Sequence, residues 1–331
     1  MAQSEKKALD CSIVVPLYNE GLVVDELYQR ITAVMKQISL SYEIILVDDG
    51  SEDHTLEKVR SIAEKDSTVV VIELRRNFGQ TPALAAGFDL ACGQVIISMD
   101  GDLQHAPEEI PNFLEKINEG YDVVSGWRKQ RVDNMIMRKI PSRAANWIAS
   151  KISGVEIHDF GTTYKAYRSE ILKELKLYGE MHRFIPALLS QIGAKIAEIP
   201  IQSILRPKGT SNYGISRLLR VFFDLITLTF LLHYVTRPIH FFGKAAFYCI
   251  LTSLVIAAYL LVDKFYFLVP ISVAHLPLAG MAGILFLVGL IFISSGLISE
   301  LISRIYFEST GKTIYSIRRI YTKEEQAEND L

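Results

Sequence analysis

The chain of 331 residues lacks an excess of charge of either sign: 35 Lys and Arg stand against 37 Asp and Glu, a formal charge of −2. A nucleic-acid binder carries a basic face that displaces counterions from phosphates, so this balance argues against that class of partner. Cysteine is scarce. Cys11, Cys92 and Cys249 lie far apart and form no CxxC or Cys/His spacing, which excludes a disulfide scaffold or a structural zinc site and leaves reduced core or membrane-embedded thiols. Neither a Gly-x-Gly-x-x-Gly fingerprint nor a Walker lysine motif is present, so dinucleotide oxidoreductases and P-loop ATPases lose their main support. No internal repeat or low-complexity tract stands out. The first apolar run, Ile13-Val14-Val15-Pro16, is too brief for a signal-peptide core, and the N-terminal part is expected to stay in the cytosol.

What the chain does have is apolar residues: 50% are hydrophobic and the mean hydropathy is +0.23, high for a purely soluble protein. Up to about Pro207 short β-branched runs alternate with amphipathic segments. Strands are expected at Ser12–Val15, Tyr42–Asp48, Val69–Leu74, Val95–Met99, Asp122–Gly126 and Lys195–Ile204, and helices at Val24–Met35, Thr55–Ala63, Pro82–Ala91 and Glu108–Asn118. This repeated alternation predicts an α/β fold, a mostly parallel sheet with helices on both faces. After Tyr213 the composition changes. Ala245–Val262 and Phe265–Ser299 carry no charged side chain, and a membrane-crossing helix needs about 20 apolar residues, so spans are expected at about 240–262 and 276–299. The competing reading is a pair of buried core helices. Arg206, Lys208, Arg217, Arg220, Arg237 and Lys244 precede the first span and Arg304, Lys312, Arg318, Arg319 and Lys323 follow the second, whereas the connection offers only Lys264; the positive-inside rule puts both flanks in the cytoplasm. Between sheet and spans, Ile215–Thr236 is apolar with Arg217, Arg220 and Asp224 on one helical face, the pattern of an interfacial helix rather than a third span. The expected organisation is a catalytic domain over 1–213, an interfacial helix over 214–238, two spans within 239–303 and a juxtamembrane tail over 304–331.

Four short motifs close successive strands, where open parallel sheets bind ligands. They are Val15-Pro16-Leu17-Tyr18-Asn19-Glu20, Val47-Asp48-Asp49-Gly50-Ser51, Arg76-Asn77-Phe78-Gly79-Gln80 and Met99-Asp100-Gly101-Asp102-Leu103-Gln104. Each alone reads equally as loop chemistry. Carboxylates at strand ends can also accept hydrogen bonds from a base edge and a ribose, and an Asp-x-Asp pair can chelate Mg²⁺ or Mn²⁺ together with diphosphate oxygens. The histidines His105, His158, His182 and His240 show no ligand spacing, although His105 and His158 lie beside motif residues.

In this order and spacing the motifs resemble the family 2 glycosyltransferases of GT-A fold, and within them the polyprenyl-phosphate glycosyltransferases, such as dolichyl-phosphate mannose synthases and bacterial undecaprenyl-phosphate enzymes. The resemblance covers nearly the whole chain, continuing through His158-Asp159-Phe160-Gly161-Thr162-Thr163-Tyr164-Lys165-Ala166-Tyr167-Arg168 to the two C-terminal membrane helices and Ser303–Glu308. It implies that Pro16, Tyr18, Asn19, Glu20, Asp48 or Asp49, Asn77, Gly79, Asp100 and Gly101 hold the nucleotide, and that Asp100, Asp102 and Gln104 hold the metal and diphosphate, with Asp102 essential to catalysis. It implies further that Arg128, Arg138 and Ser142 bind the lipid phosphate, a role that suits the charge-assisted bonds of arginine. A solvated basic face is the plain alternative. Asp159 matches the residue often proposed as catalytic base; because a phosphate monoester is already ionised at pH 7, the alternative is that Asp159 orients Arg168 or the sugar. Arg206, Lys208, Ser211 and Tyr213 match a loop that closes over the diphosphate, with Asn212 where lysine is usual.

The reading is a membrane-anchored, inverting enzyme, in a bacterial inner membrane, that moves one sugar from a nucleotide donor, UDP-linked before GDP-linked, to undecaprenyl or dolichyl phosphate on the cytoplasmic face. Mg²⁺ or Mn²⁺, membrane lipids and further copies of the chain, up to a tetramer, are the implied partners. The rivals are a processive polysaccharide synthase, whose Gln-x-x-Arg-Trp signature is missing, a glycosyltransferase with another lipid or glycan acceptor, and a non-catalytic nucleotide-sugar-binding membrane scaffold.

Overall fold

The computed structural model describes residues 9–129, 140–175, 177, 181–202, 229, 238–266, 275–309 and 313–323. They fall into two compact units, one formed by residues up to Leu225 together with Thr313–Leu331, the other by Ile226–Lys312.

The first unit is an α/β layer structure. Its strands are β1 (Leu9–Leu17), β2 (Tyr42–Asp48), β3 (Val69–Leu74), β4 (Gly93–Ser98), β5 (Val123–Arg128), β6 (Lys165–Arg168), β7 (Ile196–Ile201) and β8 (Ile317–Tyr321), and its helices are α1 (Val24–Ile38), α2 (Thr55–Lys65), α3 (Gln80–Leu90), α4 (Ile110–Asn118), α5 (Ile140–Ser153), α6 (Ser169–Leu172) and α7 (Ile185–Gln191). The sheet order is β7-β5-β6-β4-β1-β2-β3-β8. β1 pairs in parallel with both β2 and β4, so its residues Cys11–Val15 are buried on both faces, as a continuous apolar run demands. α1 shows how a helix is fixed beside it: Val24, Leu27, Ile31, Val34 and Met35 repeat every three or four residues and are buried, while Asp25 and Glu26 open the helix and Lys36 closes it in favour of its dipole.

The elements expected from the sequence are observed to within a few residues, and the helices α5, α6 and α7 and two strands are added. β6 runs antiparallel between β4 and β5, and β8 runs antiparallel along β3. Through β8, residues 313–323 return to the sheet and cover the edge of β3. Buried Glu73 on β3 fastens them: its Oε2 accepts the Tyr321 hydroxyl at 2.7 Å and its Oε1 the Arg318 guanidinium at 3.0 Å. Tyr315 donates to Asp89 at 2.7 Å, and the Arg60 guanidinium lies 4.6 Å from the Tyr321 ring centroid. An open β3 edge would offer unpaired backbone groups to other chains.

The second unit is a helical hairpin of α8 (Pro238–Tyr266) and α9 (Leu276–Ser309). The pairing runs antiparallel: Asp263 meets His275 at 2.7 Å, Ser253 donates to the Ala282 carbonyl at 2.7 Å, and a Cβ on Gly289 would stand 2.5 Å from Ile250. Phe242–Phe265 and Leu276–Ser299 are long and apolar enough to cross a membrane, and only 17% and 11% of their most apolar windows are buried. Core helices of a soluble protein would be mostly buried, so the outward apolar faces support the membrane reading over the buried-core one. α9 extends to Ser309, beyond the expected limit at 303. The expected interfacial helix over 214–238 lies almost wholly outside the described residues.

The hydroxyl of Tyr321 serves a carboxylate that is only 6% exposed. Tyr321→Phe is expected to destabilise the sheet unit by about 1–3 kcal/mol, read as a lower urea midpoint of the detergent-solubilised chain, together with faster hydrogen exchange in β3.

Candidate functional site

A cleft of about 330 Å³ opens along the ends of β1, β2 and β4. The strand sequence puts it there: β1 has β2 on one side and β4 on the other, so the loops that leave it diverge and a crevice remains. Pro16, Leu17, Tyr18 and Glu20 line one side, Asp49 the next, Asn77, Gly79 and Gln80 the third, and Asp100, Gly101 and Asp102 the last. Sequence motifs far apart in the chain thus share one cavity.

Glycines let the backbones approach. A Cβ on Gly101 would lie 2.4 Å from the Leu17 side chain and 3.2 Å from the Pro16 carbonyl oxygen. At Gly50, φ is +69° and a Cβ would meet the backbone of Arg76 and Asn77 at 2.6 Å, so the loop after β3 passes directly over the turn after β2. Asn19, with φ of 58°, joins the first two motifs: its amide donates to Ser51 Oγ at 3.0 Å and its Oδ1 accepts the Glu52 amide at 2.8 Å.

The choice between Asp48 and Asp49, open in the sequence, is resolved in part by position. Asp49 faces the cleft, and its two oxygens accept the amides of Phe78 and Gly79 at 2.8 Å each, so it shapes the third motif as well. Asp48 is 1% exposed behind it; Oδ2 accepts the Ser51 amide at 3.2 Å and, among the described residues, Oδ1 has no hydrogen-bond partner. Burial raises the pKa of both carboxyls. Asp100 is held by the Gln80 side-chain amide at 2.7 Å and lies 3.7 Å from His105 Nδ1, and burial raises its pKa too. Asp102 accepts the Gln104 amide at 3.1 Å across Leu103, a non-glycine residue at φ 58°. Gln104 is half-buried outside the cleft lining. His105 is buried against Tyr164, with ring centroids 5.3 Å apart; burial pulls its pKa to about 4 and keeps it neutral at pH 7.

Beside the cleft, Asp159 is not paired with Arg168, one of the alternatives the sequence left open. It forms a bidentate pair with Arg128, Nε to Oδ2 at 2.7 Å and Nη2 to Oδ1 at 3.0 Å, and also accepts the Gly161 amide at 3.1 Å. Arg168 instead donates to the carbonyls of Ile117 at 2.8 Å and Tyr121 at 3.3 Å and lies 3.5 Å from Asp122. The physical reason is placement. β6 directs Arg168 toward the start of β5, whereas Arg128 ends β5 next to the 158–163 segment. Glu198 on β7 braces that segment, accepting the amides of His158 and Asp159 at 2.8 and 3.1 Å and meeting His158 Nδ1 at 2.7 Å, while the His158 ring stacks on Trp127 at 4.3 Å. Buried Lys165 donates to the carbonyls of Phe160 and Thr162, and burial pulls its ammonium down to about 7. Gln80, Thr163, Lys165 and Glu198 thus join the site although their sequence positions gave no separate signal; Gln80, Thr163 and Lys165 sat inside motifs read for their neighbours.

Arg138, Arg206, Lys208, Ser211 and Tyr213 lie outside the described residues; Ser142 is on α5, its side chain undescribed. Among the described residues no three His, Cys, Asp or Glu side chains converge as a metal cluster. A cation in the cleft would therefore rest on Asp100 and Asp102, completed by ligand oxygens and not by Gln104, which lies outside the lining, a hard-oxygen set that fits Mg²⁺ or Mn²⁺.

Residues 12–176 match the family model described as glycosyl transferase family 2. Over 97% of this chain and 96% of the relative, the sequence is 39% identical to a dodecaprenyl-phosphate galacturonate synthase of Rhizobium johnstonii. It is 34% identical, over 93% of this chain and 89% of the relative, to an undecaprenyl-phosphate 4-deoxy-4-formamido-L-arabinose transferase of Pseudomonas aeruginosa. The fold is similar to that of glucosyl-3-phosphoglycerate synthase from Mycobacterium tuberculosis, solved with Mn²⁺, UDP-glucose and phosphoglyceric acid, at a TM-score of 0.51 and 18% identity, covering 67% of this chain and 79% of that one.

The buried histidines give the site unit a pH signature. His182 meets Thr81 Oγ1 at 2.6 Å, and burial pulls its pKa to about 3. The unfolded chain then binds a proton near pH 6.5 that the folded chain refuses, so this residue's contribution to stability is lost as pH falls from about 6.5 toward 3. His182→Asn is expected to flatten the decline of the unfolding midpoint across that window relative to the unsubstituted chain; equal slopes would remove His182 from the account.

Proposed function

The chain belongs to glycosyltransferase family 2 as a polyprenyl-phosphate glycosyltransferase, and from that premise we propose that it transfers one sugar from a nucleotide donor, UDP-linked before GDP-linked, to undecaprenyl or dolichyl phosphate on the cytoplasmic face of a bacterial inner membrane. The observation that carries the reading is the shared cleft, whose lining brings Glu20, Asp49 and Asn77 together with Asp100 and Asp102 at the strand ends. The first group suits a nucleoside and the second a diphosphate with its cation. A divalent cation bound there would offset the negative charge that builds on the departing diphosphate. The lipid phosphate oxygen attacks the anomeric carbon from the side opposite the leaving group, so the anomeric configuration inverts.

The acceptor phosphate is already ionised at neutral pH and needs no base. In keeping with that, Asp159 is engaged by Arg128 and the Gly161 amide, an arrangement that suits a residue orienting an arginine near the acceptor. Anchoring by the two apolar helices holds the cleft near a lipid substrate and turns a three-dimensional search into an oriented encounter. The chain leaves the sheet after β7 and re-enters it at β8, so it crosses the bilayer an even number of times between them. Two spans satisfy this parity. The basic residues on both flanks support the cytoplasmic side.

Detergent-purified full-length protein, given radiolabelled UDP-glucose, UDP-GlcNAc, UDP-galactose, UDP-galacturonate or GDP-mannose with either polyprenyl phosphate and Mg²⁺ or Mn²⁺, is expected to yield a lipid-extractable product from a UDP-sugar, with inverted anomeric configuration by NMR. Asp102→Asn should lower turnover by about 100-fold or more while leaving the far-UV circular dichroism unchanged. Near-normal turnover in that variant would remove the cation role of Asp102.

A further inference from the structure

We propose that Gln80 is a positioning residue: it locks Asp100 for cation and donor binding and ties it to the acceptor-side segment through Thr163. This rests on the reading of Asp100 as a cation ligand given above. The Gln80 side-chain amide donates to Asp100 Oδ1 at 2.7 Å and to Thr163 Oγ1 at 3.2 Å, so both of its protons are spent on two different strand-end segments. Its own backbone is held from the other direction. Gln80 opens α3 directly after Gly79, at φ +100°, whose amide is fixed by Asp49 at 2.8 Å. Thr163 is anchored too, 5% exposed, its carbonyl accepting the Ser98 hydroxyl of β4 at 2.6 Å, while buried Lys165 braces the carbonyls of Phe160 and Thr162. One uncharged side chain therefore joins the loops after β3 and β4 to the 160–163 segment.

The choice of an amide has a chemical reason. Asp100 sits on a loop that contains the left-handed Leu103, and a carboxylate on such a loop keeps one rotamer only when something holds it. A lysine at position 80 would hold it but would supply the positive charge that a cation should supply. A glutamate would repel it. Glutamine donates a hydrogen bond without changing the charge of the cleft.

The test is a direct titration of detergent-purified full-length protein with Mn²⁺ in the presence of UDP, following the electron paramagnetic resonance signal of unbound Mn²⁺. Gln80→Leu, which keeps the side-chain size and removes the donor, is expected to weaken Mn²⁺ binding by about 10-fold, and turnover should return to within about 2-fold of the unsubstituted chain when Mn²⁺ is saturating. Unchanged Mn²⁺ affinity, or turnover that excess Mn²⁺ does not restore, would overturn the proposal. Should Gln80→Leu fail to fold, Gln80→Met decides: it keeps the side-chain length, removes both donors and leaves the contact between Thr163 and Asp100 in place, and it should weaken Mn²⁺ binding by about 10-fold, with no change counting against the role. If the unsubstituted chain itself binds no Mn²⁺ with UDP, the cation reading of Asp100 fails, an outcome separate from failure of the Gln80 role.

Discussion

The parallel pairing of β1 with β2 on one side and β4 on the other governs everything that follows in this protein. Crossovers that leave β1 and β4 turn away from each other, so a crevice opens at their ends, and no side chain has to carve it. Because the pairing is parallel, the ends of β1, β2, β3 and β4 all lie along one edge, and the motif after each strand arrives at the same place. The glycines then set how closely the arriving loops pack. Gly101 lets the acidic turn rest on Pro16 and Leu17, and Gly50 lets the loop after β3 pass over the turn after β2.

Around that crevice, hydrogen bonds between neighbouring loops do more than any single residue. Asp49 holds Phe78 and Gly79, Asn19 holds Ser51 and Glu52, and Gln80 holds Asp100. Removing ionised groups from water is costly unless they are paired, and the region beside the cleft meets that cost with the bidentate Arg128–Asp159 pair and with the carbonyls around Lys165. The result is a preorganised polar wall next to a cleft that is still open to ligand.

Glu73 accepts from Tyr321 and Arg318, which holds β8 on the β3 edge and seals it. A sheet that takes strands from both sides of an apolar hairpin constrains how many times the intervening chain crosses a bilayer, a constraint that hydropathy alone does not supply.

By itself the sequence determined the elements with strong periodicity: the buried run of β1, the amphipathic stripe of α1, the uncharged lengths of α8 and α9, and the strand-end positions of the four motifs. These were legible because burial on a regular element imposes a local repeat. β6 escaped because it is only four residues long and begins with a lysine, and β8 because Ile317-Arg318-Arg319-Ile320-Tyr321 reads as a basic tail. Tertiary structure alone decided that Asp159 pairs with Arg128 rather than Arg168, that Asp49 faces the cleft while Asp48 is buried behind it, and that Gln80 reaches Asp100. Those contacts join residues 20 to 31 positions apart or differ between adjacent residues, and they depend on which way a strand end points, a quantity that pairing across the sheet fixes and no local repeat encodes.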